Sequence, residues 1–202
     1  MWRFVLEESI SRLHTLIEEA ESERERETLR RLLQDADGEL KALEEAGKPE
    51  LAARDIALKA FAEHAVNEAM ERHGADFTTL QIYDEARESV IVLAQKNFHA
   101  AFLQHLSSIK PGDGSALGEC LAHDTPIAIE DVNAAAAFEA HREAATEAGF
   151  QAVHSSPVRD QSGNLIAVLS TYFRTPQSFS EDDLNRMTHY AYSIGMRLQM
   201  HL

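Results

Sequence analysis

The sequence predicts an α+β fold: an antiparallel sheet flanked by helices, preceded by an α-helical hairpin or coiled-coil extension. Three observations carry this. Apolar residues recur at steps of three and four through the first 46 residues, the spacing of a single helix face. From Phe77 the period changes to two, the spacing of a strand. The element order from residue 50 reads α, ββ, α, α, β, α, ββ, α. That order leaves few β-α-β crossovers, so an antiparallel sheet is favoured over a parallel one.

The elements follow in order. Trp2, Leu6, Ile10, Leu13, Ile17 and Ala20 form one stripe, and Leu29, Leu32, Leu33, Ala36, Leu40 and Leu43 a second. The polar run Glu21 to Glu27 separates them. Each stripe is too narrow to bury itself, which predicts a hairpin or a short coiled coil between chains. Gly47-Lys48-Pro49 ends the second helix and starts a third, which closes at His73-Gly74. Strands are expected at 77–83 and 90–95 around the polar turn Asp84 to Ser89, and a helix at 98–109. The loop Lys110-Pro-Gly-Asp-Gly-Ser115 follows. A short helix at 116–122, a strand at 127–129 and an alanine-rich helix at 134–148 come next. Strands at 151–157 and 165–173 flank the turn Gln161-Ser-Gly-Asn164. Ser180 caps the last helix, with Glu181, Asp182 and Asp183 on the positive end of its dipole. The expected domains are a dimerising hairpin, 1–48, and an α+β domain, 49–202, with its flanking helices.

Composition narrows the function. At 202 residues with 44% hydrophobic side chains, the chain has enough apolar material for a sizeable core. A net charge of −15 argues against nucleic acid as a partner, because phosphate contacts need clustered cations. Arg24, Arg26, Arg30 and Arg31 do cluster, but Glu23, Glu25 and Glu27 interleave with them as local ion pairs. No apolar run approaches the ~20 residues of a membrane span, so no membrane contact is expected. One cysteine fits a reducing cytoplasm.

Several motifs act in combination. They are Leu80-Gln-Ile-Tyr-Asp, Lys96-Asn-Phe, Gly114-Ser-Ala-Leu-Gly-Glu-Cys-Leu-Ala and Ile129-Glu-Asp-Val. Ala148-Gly-Phe-Gln-Ala-Val, Ser155-Ser-Pro-Val and Leu169-Ser-Thr-Tyr-Phe complete the set. Over about residues 58–198 they resemble the GAF domain family, in the branch common in bacterial sensor proteins. The resemblance implies a five- or six-stranded antiparallel sheet. Terminal helices cover one of its faces and a ligand pocket lies on the other. It also implies a sensing or assembling role, since such modules rarely catalyse. Relatives often carry a cysteine before the glycine of Leu117-Gly118; here Cys120 sits three residues later. They often have Thr at Ser156, Gly-Met at Ala167-Val168 and His at Tyr172.

Under that resemblance Asp131, His141, Ser155 and Thr171 are the polar residues expected at the pocket, with Phe98, Phe138 and Phe150 as apolar walls. Each has an ordinary alternative. Asp131 suits a helix N-cap or a turn. The two hydroxyls suit strand packing, and the aromatics suit a core. The same resemblance would let His123, His141 and His154 converge on the pocket face, but surface or hydrogen-bonding histidines are the ordinary reading and the one expected here. No H-x₃-H or C-x₂-C spacing appears among the ten histidines and one cysteine, so no metal is expected. Cys120 has no second thiol to resolve a disulfide relay and reads as a small buried hydrophobe. Gly112-Asp-Gly-Ser115 lacks the lysine of a phosphate loop. No cofactor and no catalytic residues are expected. The expected partners are a second copy of the chain, a small organic ligand and a signalling protein such as a kinase. The rival expectation is a ligand-free dimerisation scaffold whose pocket is filled by its own side chains.

Overall fold

The structure is a computed structural model and describes residues 2–20, 22–45, 49–84 and 89–200. Residues 85–88 of the expected hairpin turn, the Gly47-Lys48 punctuation and Glu21 lie outside the described residues, as do the side chains of Trp2, Leu43 and Leu51. The chain divides into two compact units, the first reaching Ala60 and the second spanning Phe61–Met200.

The first unit holds α1 (Trp2–Glu19), α2 (Glu23–Glu45) and the start of α3 (Pro49–His73). α1 and α2 pack along each other. Arg26 Nη2 donates to the Ala20 carbonyl at 2.6 Å and so ties the turn between them. Glu23 pairs with Arg26 and Arg30 at 3.4 and 3.0 Å, the local pairing that the interleaved charges predict.

The second unit is built on five strands: β1 (Phe77–Asp84), β2 (Ser89–Lys96), β3 (Ile127–Ile129), β4 (Ala152–Arg159) and β5 (Leu165–Phe173). They lie in the order β2-β1-β5-β4-β3, every neighbouring pair antiparallel. Helices α4 (Ala100–Ser107), α5 (Ala116–His123), α6 (Arg142–Ala148) and α7 (Glu181–Leu198) complete the unit. α7 starts with a full capping box, in which Ser180 and Asp183 satisfy each other's backbone amides.

Side chains alternate across the sheet. One face carries Phe77, Val168, Tyr172 and Val153 into a core shared with Phe98, Phe102, Leu117, Phe138 and Phe150. The other carries Ala152 and Phe173 against Met187 of α7 and Met70 of α3. On that side Thr78 Oγ1 donates to the Val66 carbonyl of α3 at 2.9 Å. Gly195 lets α7 approach β4 closely, since a Cβ there would collide with the Arg159 carbonyl.

The expected helix at 134–148 is corrected. A turn at 132–134 leads into a 3₁₀ helix, Ala136–His141, and only Arg142–Ala148 is α-helical. The 3₁₀ period of three stacks residues three apart on one face. It therefore buries Phe138 and His141 together, at 3% and 8% exposure. Arg142 holds the turn by donating to the Val132 and Ala135 carbonyls at 3.2 and 3.0 Å.

Candidate functional site

A cavity of about 20 Å³ lies on the open face of the sheet. Its floor is Val153 and Tyr172. Its walls are Phe102, His105 and Leu106 from α4, Ala116 and Leu117 from α5, and Phe138, His141 and Phe150. The aromatics interlock around it: Phe150 meets Tyr172 edge-on at 4.9 Å and Phe102 at 5.3 Å.

One polar chain runs along the mouth. His141 Nε2 lies 3.1 Å from the Asp113 carbonyl and His141 Nδ1 3.1 Å from His105 Nε2. A carbonyl only accepts, so His141 Nε2 donates in that bond; with the ring neutral, its Nδ1 accepts from His105 Nε2–H. Asp113 is held in turn by its own loop. Its Oδ1 accepts from Ser115 N and Oγ at 3.0 and 2.7 Å, and its Oδ2 accepts from Lys110 N at 3.0 Å. Ser115 Oγ then caps α5 by accepting from Gly118 N. Gly114, at φ +88°, lies against the Ala137 carbonyl where any Cβ would collide, so the loop sits directly on the 3₁₀ helix. Burial holds the His105 pKa below its ordinary value; the neighbouring His141 adds to this and Asp113 opposes it.

The expected site residues divide. His141 and Phe138 line the cavity. Phe98 stands behind that lining, stacked on Phe77 at 4.7 Å and against Phe102 at 4.2 Å. Ser155 points to the same face but is sealed into a polar row: its Oγ meets Ser170 Oγ at 2.8 Å, and Gln81 Nε2 donates to Ser170 Oγ at 2.8 Å. Asp131 fixes a turn. Its Oδ1 accepts from Asn133 N at 2.9 Å, and it caps no α-helix and lines no part of the cavity. Thr171 is corrected to the opposite face. It pairs in register with His154 and with Thr78, whose hydroxyl bonds to α3. The three histidines do not converge. His154 faces the terminal helices beside Phe179, and His123 sits on the surface 3.2 Å from Glu119. The partner of His141 is His105. Its signal was its place three residues after Phe102, on the inward side of the same helix.

Cys120 is fully buried in the core on this face, and burial pushes its thiol up to about 12. Among the described residues no cluster of three or more His, Cys, Asp or Glu could hold a metal ion.

The sequence profile described as GAF domain matches residues 55–199. The chain belongs to the GAF domain family. Solved structures share this fold at low sequence identity. The GAF domain region of a protein from Geobacter sulfurreducens PCA is 16% identical, with a TM-score of 0.62, covering 75% of this chain and 99% of that one. A domain assigned to a two-component sensor histidine kinase protein of Sinorhizobium meliloti 1021 is 18% identical, with a TM-score of 0.58, covering 69% and 89%. A type II free methionine-R-sulfoxide reductase from Thermoplasma acidophilum is 18% identical, with a TM-score of 0.55, covering 72% and 97%. No curated protein matches this sequence. Among the described residues no helix of this GAF protein is long and apolar enough to cross a membrane.

Proposed function

We propose that this GAF domain is a regulatory, non-catalytic sensor in the cytoplasm. It binds a small organic molecule without covalent attachment and passes the bound state through its terminal helices to a signalling partner such as a kinase. The observation that supports this is the aromatic cavity with a single polar corner, His105–His141–Asp113, on the face away from α3 and α7. Apolar walls with a few placed polar groups are the usual form of a small-molecule site.

The cavity of about 20 Å³ holds roughly one water. Ligand entry therefore selects a more open state, in which the 3₁₀ helix and the 108–115 loop move apart. His141 bridges these two segments, so breaking its bond to Asp113 is the first step of opening. His141 and Phe138 would then touch the ligand, with Phe98 supporting the wall behind them. Ser155 and Thr171 would shape the sheet on which the pocket rests, and Asp131 would fix the turn that leads into the 3₁₀ helix. We further propose that residues 1–48 dimerise the protein and that 49–202 form the sensing domain.

One observation favours a second reading. The cavity is nearly filled by its own side chains, as expected of a ligand-free dimerisation scaffold. Native mass spectrometry of the freshly purified chain, followed by a thermal-shift screen of metabolites, separates the two. The sensor reading expects a hit that raises the melting temperature of wild type. It expects a smaller shift in His141→Ala, with Asp131→Ala close to wild type. No co-purified molecule and no stabilising metabolite would leave the scaffold.

A further inference from the structure

A second and larger cavity lies outside the sheet's pocket, in the cleft between α3 and α7. Its volume is about 390 Å³, within the range of small-molecule sites. The helices are bridged there by Tyr190, whose hydroxyl reaches the Ala65 carbonyl and Glu68 Oε2, each at 3.0 Å.

The charges around the cleft are organised. Glu68 is the one carboxylate among the lining residues, and it is already satisfied. Arg72 Nε donates to its Oε1 at 2.8 Å, the Tyr190 hydroxyl donates to its other oxygen, and Arg72 holds its pKa below the usual carboxylate range. Arg72 lies 5.2 Å over the Tyr190 ring, and Arg197 lies 4.9 Å over the Phe61 ring. A guanidinium held near a ring by its charge spends no N–H donor on that contact. For Arg197 the N–H edge meets no carboxylate among the described residues. His189 stands at the rim, and His64 Nε2 lies 3.6 Å from Glu68 Oε2. In a chain of net charge −15, the cleft is a local reversal of sign.

We propose that the α3–α7 cleft binds a small organic anion. Its phosphate or carboxylate takes the free edge of Arg197 in a bidentate, charge-assisted contact. Its apolar body lies along the floor formed by Ala65, Tyr190 and Ile194. The volume, several times what a bare anion fills, argues for a body attached to the charge. Because α3 and α7 flank the sheet on the face away from the aromatic cavity, an anion here would bias the helices directly, independently of the first site.

Isothermal titration calorimetry on the full chain, with phenyl phosphate, inorganic phosphate, the carboxylate phenylacetate and phenol as probes, tests this. Phenyl phosphate is expected to bind saturably and at least tenfold more tightly than inorganic phosphate or phenol. Arg197→Gln should weaken it tenfold or more, Arg197→Lys by less, and His141→Ala should leave it unchanged. Arg197 is exposed and its packing is limited to the Phe61 ring, so these variants should fold and melt close to wild type. Binding that survives Arg197→Gln would overturn the proposal, as would loss of binding in His141→Ala, which moves the site to the aromatic cavity. Absence of binding with a change of subunit count in Arg197→Glu would make the cleft a contact between copies and would equally overturn it.

Discussion

His154 is 1% exposed on the helix-covered face, and its Nε2 meets no partner among the described residues. Burial, helped by His73, lowers its pKa to about 4. The ring is therefore neutral in the folded chain at pH 7. As pH falls below about 6.5 the unfolded chain takes up a proton that the folded chain refuses. Stability is full above that value and is lost toward pH 4, by up to about 3 kcal/mol for this group. Urea denaturation between pH 4.5 and 7.5 should show the slope, and His154→Leu should flatten it; an unchanged slope in the variant would refute the assignment. Cys120 gives a second residue-scale expectation. Its thiol should resist a disulfide reagent at pH 8 until the chain unfolds, and Cys120→Ser should cost about 1 kcal/mol or more for burying a hydroxyl. The fate of Thr171 shows what the residues alone could not decide. Ser155 and Thr171 look equivalent as small hydroxyls on adjacent strands. Register decides their faces: Ser155 opposes Ser170, so Thr171 falls beside His154 on the other side. That register depends on the irregularity between Val158 and Arg159, which no local sequence pattern marks.

At the scale of elements, legibility followed periodicity. Residues 165–173 and 127–129 were readable because apolar and turn residues bound them on both sides, and α7 was readable from Ser180 with its acidic first turn. The 134–148 segment reads as a single helix in the sequence because its four consecutive alanines carry no face. Helix propensity there is high, yet the tertiary pull of Phe138 and His141 tightened the chain to a 3₁₀ turn. The same pull builds the His105–His141–Asp113 chain, which no sequence pattern marks. It joins a helix, a loop and a 3₁₀ turn that only the fold brings together. α7 also depends on one close approach. Gly195→Ala should push the helix off the Arg159 carbonyl and cost about 1–3 kcal/mol, the range of overpacking. A matched Ser193→Ala on the exposed side of α7 should cost much less. Equal melting temperatures for the two would show that the helix yields freely at this point.

At the scale of the molecule the open matter is assembly, and the N-terminal stripes are its most direct clue. α1 and α2 cover part of each other, yet Leu32 remains 50% exposed, and Leu29, Leu33 and Leu40 are only half-buried. Apolar residues at helical spacing left open along a 23-residue helix are what a second helix covers. A homodimer through this hairpin follows, and a chain that starts at Pro49 should lose it. Multi-angle light scattering is expected to give twice the chain mass for the full protein and a single chain mass for residues 49–202. Leu32→Glu with Leu29→Glu should reproduce the loss without deletion, because two buried carboxylates cannot be solvated at such a seam. If the truncated chain stays dimeric, the contact lies on the GAF unit itself. In that case α3 and α7 become its candidate surface, and phenyl phosphate should compete with dimerisation at the Arg197 cleft.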